Sequence, residues 1–294
     1  MNKTDKYVLN FLPKEELEKI FDDSAKKTIS YFIKKTLIAQ PEKKPGQEEE
    51  LPIQAPKEHI EQWMVQALDA EHTGAGSYPV DIIFEANGEI IGADVKMLSC
   101  KTDVNGSLKD SDSGETSISQ KFKDENFDKS KTLDELFKNI EERPIIWDKW
   151  KKLIKEKYCK VFEERRVEKI YYIFLLRAGK NFYIGVCNVN LDNLDNTEID
   201  CERTNNSKNA TSLWIKNFID DRYGNVKVYK SKKRVELRLK PKSLQDNSCL
   251  LKISTDFELK EENIKEIIKD EKKFQKYIKE ISKSFNNLED IKWE

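Results

Sequence analysis

The chain has 294 residues, of which 36% are charged, and its formal net charge is only -1. That length can bury a sizeable core, and the even charge balance excludes a uniformly basic protein while still permitting a basic cleft. No apolar run approaches the roughly 20 residues needed to cross a bilayer, and the N-terminal stretch MNKTDKYVLNFLPKEELEK lacks the apolar centre of a signal peptide, so a cytoplasmic protein with no membrane association is expected. Five scattered cysteines with no C-x-x-C pair, and only two histidines, argue against a structural zinc site and for reduced thiols.

In chain order, residues 1–50 read as an N-terminal helical segment and linker. Leu17, Ile20 and Phe21, then Ile29, Phe32 and Ile33, recur at helical spacing over 1–40, with Pro13 suited to a first turn. Such a helix pair serves packing or dimerisation. The stretch 41–56, rich in Pro, Glu and Lys, reads as an exposed linker. Residues 51–294 read as the main domain, with a core over about 56–190 and a basic hairpin and C-terminal helix over 211–294.

Pro56 opens a helix to about residue 70, with Ile60, Trp63, Met64, Ala67 and Leu68 as its apolar stripe. Glu61 lies at the edge of that stripe, and Glu71 falls back on it. Thr73-Gly74-Ala75-Gly76-Ser77 ends the helix and leads into a hairpin. Two apolar runs, 80–86 and 89–96, flank Asn87-Gly88, the pair that best tolerates the positive φ angles of a type I′ turn. Beyond it, residues 99–124 are polar and aperiodic, with more order expected near 115–122. Ser117, Ser119, Gln120 and Lys121, with Lys101 ahead of them, suit contacts to phosphates or bases.

Residues 132–168 read as charged helix, with Leu133, Leu136, Phe137 and Ile140 continued by Trp147, Trp150 and Ile154. KIYYIFLL at 169–176 and NFYIGVCNVN at 181–190 read as buried strands joined at Ala178-Gly179-Lys180. A helical crossover between the first hairpin and KIYYIFLL predicts a mixed sheet with a parallel pair. The stretch 191–211 reads as an Asn-rich loop, 211–220 as a short helix, and 226–229 with 234–239 as a second hairpin. That hairpin is the most basic stretch of the chain; Lys230, Lys232, Lys233 and Arg234 are candidates to follow phosphates or enter a groove. Residues 258–285 read as one amphipathic helix.

The chemistry concentrates in the first hairpin. Asp81 begins one strand, and Asp94 and Lys96 end the other on a shared face. Phosphodiester hydrolysis needs an activated water and compensation of developing charge, which a divalent metal supplies. Mg²⁺ is commonly held by one or two carboxylates with waters filling the rest. Asp81 and Asp94 fit that demand, the backbone carbonyl of Val95 can add a ligand, and Lys96 can orient or help deprotonate the water, or neutralise the developing charge.

Asp81 followed by a hairpin and by Asp94-Val95-Lys96 resembles the signature of the PD-(D/E)xK nucleases. The first part here reads Pro79-Val80-Asp81, with one residue inserted between Pro and Asp. The later SGETSISQKF resembles the segment after the catalytic lysine in several type II restriction endonucleases. The resemblance implies an α/β fold with an αβββαβ core, a mixed sheet flanked by helices, and N- and C-terminal helical additions. It also implies Mg²⁺-dependent cleavage of double-stranded DNA to 5′-phosphate ends, often by a homodimer, and an acidic residue on the preceding helix. Glu61 is the first candidate for that residue and Glu71 the second; Gln120 is the match to a polar residue on the later helix. No helicase P-loop is present, and the core is surrounded by the elaboration that base recognition needs. A restriction enzyme with a DNA methyltransferase encoded nearby is therefore expected. A structure-specific or nonspecific nuclease of repair or defence, and a non-catalytic DNA-binding protein, are the alternatives.

Overall fold

A computed structural model describes residues 6–46, 53–74, 78–111, 115–118, 131–205, 207–256, 258, 260–285 and 287–294. The chain begins with β1 (Leu9–Phe11), α1 (Lys14–Ile20) and α2 (Asp23–Ile38), followed by α3 (Lys57–Ala67), β2 (Glu71–His72), β3 (Ile82–Ala86) and β4 (Glu89–Ser99). It continues through β5 (Glu115–Ser117), α4 (Leu133–Lys138), α5 (Arg143–Arg165), β6 (Lys169–Ala178), β7 (Asn181–Val189), β8 (Glu198–Ile199) and β9 (Ser212–Lys216). Then follow β10 (Gly224–Tyr229), β11 (Arg234–Leu239), α6 (Pro241–Asp246), β12 (Leu251–Thr255), α7 (Ile264–Ile267), α8 (Glu271–Phe285) and β13 (Ile291–Trp293).

Among the described residues the strands form two sheets. The larger is mixed, in the order β13-β12-β7-β6-β4-β3-β2 with β1 added beside β7; the smaller runs β5-β11-β10-β9-β8. All pairs are antiparallel except β4 with β6, and a parallel pair needs a long crossover. Here α4 and α5 supply it. The chain therefore runs helix, three antiparallel strands, helix, and a strand parallel to the third.

Side-chain alternation on β4 divides two cores. Ile91, Ala93 and Val95 pack with Leu17, Ile29, Ile60, Trp63 and Met64 of the three N-terminal helices. On the opposite face Leu98 joins Trp150, Ile154, Tyr158 and Val161 of α5, and the absent side chain of Gly92 leaves room for Val161 and Val167. Helices thus cover both faces of the mixed sheet. The second sheet adds to the α5 side, with Leu213, Val226, Val228 and Leu237 in the same core.

Several elements differ from the sequence expectation. The stretch 211–220 is not a helix: Leu213 and Ile215 point inward while Ser212, Trp214 and Lys216 point out, a period of two that makes β9. The C-terminal helix is broken, because the Asp270 carboxylate accepts from the Lys272 and Lys273 N–H groups and starts α8 afresh. β1, β2, β8, β12 and β13 had no strong periodic signal, being short strands whose pairing is supplied by neighbours distant in sequence. The ends of the 41–56 stretch are tied down: the Gln40 side chain donates to the Gln54 carbonyl and accepts from its N–H. Residues 47–52 and 75–77 lie outside the described residues.

The first hairpin forms around Asn87 and Gly88, whose φ angles are 55° and 77°, as a type I′ turn requires. A Cβ on Gly88 would meet no neighbour within 4 Å, so its whole constraint is backbone. Gly88→Ala is expected to lower stability by about 1 kcal/mol, read as a reduced urea midpoint with an unchanged slope.

Candidate active site

The register of β3 and β4 sets the centre of the site. Ile82 lies opposite Ala93 as the last paired position of the hairpin, and Asp81 comes just before it, close enough for its charge to act on Asp94. The Asp81 N–H donates to the Ala93 carbonyl over 2.9 Å. Its carboxylate Oδ2 accepts from the Val95 N–H over 2.7 Å, so a side chain continues the ladder where the strand begins. Two like charges this near disfavour each other's ionised form unless cations offset them.

Those cations are lysines. Asp94 and Lys96 share the face of β4 that looks toward α5, between Gly92 and Leu98. Asp94 is 5% exposed, and a buried carboxylate needs charged or hydrogen-bonding partners. The Lys96 ammonium donates to Asp94 Oδ1, while Lys157 Nζ, on α5, stands 3.8 Å from Oδ2. Burial pushes the Asp94 carboxyl up to about 6, against the pull of Lys96 and then Lys157, with the Asp81 charge adding to the rise. For Lys96, burial works downward, but the Asp94 charge and hydrogen bond, with smaller help from Asp81 and Glu61, leave it above its ordinary value. Lys157 goes the other way: burial lowers it, and Asp94 does not make up the loss.

The third acidic group comes from α3. Glu61 Oε2 is 3.5 Å from His72 Nε2 on β2, and His72 Nδ1 accepts from the Gly74 N–H over 3.1 Å, which leaves the Nε2 proton facing Glu61. Of the two candidate glutamates, Glu61 is the one whose charge acts on Lys96. Glu71 instead accepts from Arg165 over 3.0 Å. Behind the site, Tyr172 stands opposite Asp94 in the parallel β4–β6 register. Its hydroxyl bonds to that of Tyr158 and donates to the Ile118 carbonyl over 3.2 Å. Burial raises both phenols, keeping them neutral.

The remaining candidates are spread out. Ser117, in β5, faces Glu236 across the second sheet, and Lys101 is exposed in the turn after β4. Ser119, Gln120 and Lys121 lie outside the described residues. On the basic hairpin, Lys232 donates to both oxygens of Glu236 at 2.9 and 3.1 Å. Arg234 donates to the same carboxylate, which is 2% exposed. Lys230 Nζ is 3.6 Å from Asp134. Lys233 is exposed in the turn with a φ of 47°.

Sequence reading missed Lys157. Its signal was present: Trp150, Ile154, residue 157 and Val161 follow a 4-3-4 helical spacing, so a lysine occupies a position on an otherwise apolar stripe. His72 gave no such signal, because β2 is only two residues long.

The donor set suits a hard cation. Asp81 and Asp94 offer carboxylate oxygens, and among the described residues neither thiolate nor imidazole stands in direct contact with them. Among the described residues no three His, Cys, Asp or Glu side chains form a metal-binding group. A metal here would rest on two carboxylates, the number with which Mg²⁺ is usually held while it keeps several waters. Compared with known proteins, the chain matches no family model, no curated protein and no solved structure.

In a pH titration followed by carboxyl-carbon NMR, Asp94 is expected to change with a midpoint near 6. Lys96→Met removes its closest cation and is expected to move that midpoint upward; a downward move would contradict the assignment of forces.

Proposed function

We propose that the protein is a Mg²⁺-dependent nuclease of the PD-(D/E)xK type, acting as a site-specific endonuclease on double-stranded DNA. The observation that carries this reading is the meeting of Asp81, Asp94 and Lys96 on one face at the junction of β3 and β4. The order of α3, three antiparallel strands, α5 and the parallel β6 agrees with an αβββαβ restriction-endonuclease-like core.

In this reading Asp81 and Asp94 would hold the ion, with the Val95 carbonyl as a further oxygen donor. Bound Mg²⁺ makes water more nucleophilic and offsets charge on the phosphate oxygens. Lys96, kept protonated by its acidic neighbours, orients the attacking water and meets developing negative charge as an ammonium rather than accepting a proton. Glu61, through its charge, helps hold Lys96 in that state. A homodimer and a companion DNA methyltransferase belong to the restriction form of the proposal.

One observation favours a second form, a nuclease indifferent to sequence. Lys232 and Arg234 of the basic hairpin are turned onto the buried Glu236, which withdraws them from groove readout.

Incubation with plasmid and phage DNA in Mg²⁺ separates these forms. Discrete fragments are expected, ending in 5′-phosphates. Asp81→Ala, Asp94→Ala and Lys96→Ala are each expected to lose activity by about 10²-fold or more, with Mg²⁺ binding lost by calorimetry in the two aspartate variants. Smears that do not depend on sequence would select the second form. No cleavage and no Mg²⁺ binding by the intact protein would remove the nuclease reading.

A further inference from the structure

Resting on the phosphodiesterase reading above, we propose that Lys157 is a second substrate-binding cation of the same centre, gripping the scissile phosphate from the α5 side. The argument starts from where the residue sits. Ile154, Tyr158 and Val161 of α5 are buried against the sheet, and the side chain of Lys157 beside them is only 21% exposed. An ammonium in such a place loses water and needs acceptors for its three N–H groups.

Among the described residues Lys157 has none at hydrogen-bonding distance. Its nearest carboxylate oxygen is Asp94 Oδ2 at 3.8 Å, beyond the reach of an ordinary hydrogen bond. Lys96 already donates to the other oxygen of that carboxylate. A lysine serving only to neutralise Asp94 would close onto it as Lys96 does. Lys157 instead stands off, nearest Oδ2 of that carboxylate and without a hydrogen bond to it. Its Nζ also lies 4.8 Å from the centroid of the Tyr158 ring.

Charge balance points the same way. Asp81, Asp94 and Glu61 are three negative charges set against Lys96 and Lys157, which leaves one net negative charge. A divalent cation turns that into one net positive charge, the complement of the single negative charge of a phosphodiester. The oxygens of a phosphate are the acceptors this ammonium lacks.

The test uses the full chain with Lys157→Met, which keeps side-chain length and removes the charge, and Lys157→Arg, which keeps the charge. Three readouts are compared with the wild type: turnover on plasmid DNA in Mg²⁺, Mg²⁺ affinity by calorimetry without DNA, and the thermal midpoint. For Lys157→Met the expected results are turnover lower by about 10²-fold, Mg²⁺ bound at least as tightly because a competing cation is gone, and a midpoint unchanged or higher because a buried charge without hydrogen bonds is gone. Lys157→Arg is expected to recover part of the turnover. A structural role predicts the reverse pattern: a lower midpoint in Lys157→Met, with Mg²⁺ affinity and turnover falling together, and that pattern overturns the proposal. Wild-type turnover in Lys157→Met overturns it as well, while leaving the nuclease reading intact. A wild-type protein that neither binds Mg²⁺ nor cuts DNA overturns both.

Discussion

Two aspartates of like charge lie near each other where β3 begins beside β4, and the arrangement around them follows from that repulsion. Asp81 is held by the Val95 N–H, so it cannot swing away from Asp94. Asp94 is buried and cannot be relieved by water. What remains is to bring cations to them, and the fold does so from two directions. Lys96 arrives two residues along the same strand, and Lys157 arrives from the helix that crosses over the sheet. Burial still outweighs both for Asp94, whose carboxyl stays well above its ordinary range. A centre in this condition is poised to accept another positive charge, which is the physical basis for proposing a metal there.

The same strand is both anchor and site. On one face of β4, Ile91, Ala93 and Val95 lock into the core beneath α3. On the other, Asp94 and Lys96 are presented between Gly92 and Leu98. The candidate site therefore sits on a central strand buried on both sides rather than on a loop, and its groups are held by packing. The parallel pairing of β4 with β6 has a further consequence. It demands a long crossover, that crossover is α5, and α5 is the element that carries Lys157 and Tyr158 to the aspartates. Tyr172, opposite Asp94 on β6, then links the site to the end of β5 through the Ile118 carbonyl. The second sheet is in this way tied to the back of the centre.

That second sheet shows how misleading a count of basic residues can be. The 226–239 hairpin is the most basic run of the chain, yet Glu236 at its middle is buried and takes up Lys232 and Arg234. Lys227 lies 3.7 Å from the centroid of the Trp214 ring. Much of the charge in that run serves to hold the sheet together.

Local chemistry was enough to read the hairpin. Asn87-Gly88 has few backbone options, a period of two places Asp94 and Lys96 together, and a crossover before KIYYIFLL requires a parallel pair. Those are short-range constraints, and the sequence alone determined Asp81, Asp94 and Lys96 as neighbours and most of the long elements around them. Short strands such as β2, β12 and β13 were not legible, because their identity depends on which edge happens to lie beside them. The choice between Glu61 and Glu71 was equally closed to sequence: both lie near one apolar stripe, and only the turn into β2 sends one toward Lys96 and the other to Arg165. Lys157 is the clearest case. Its place on an apolar stripe marked it as unusual, but sixty-one residues separate it from Lys96. Only the docking of α5 on the sheet decided that this ammonium, and not one of the many others on the same helix, stands beside Asp94.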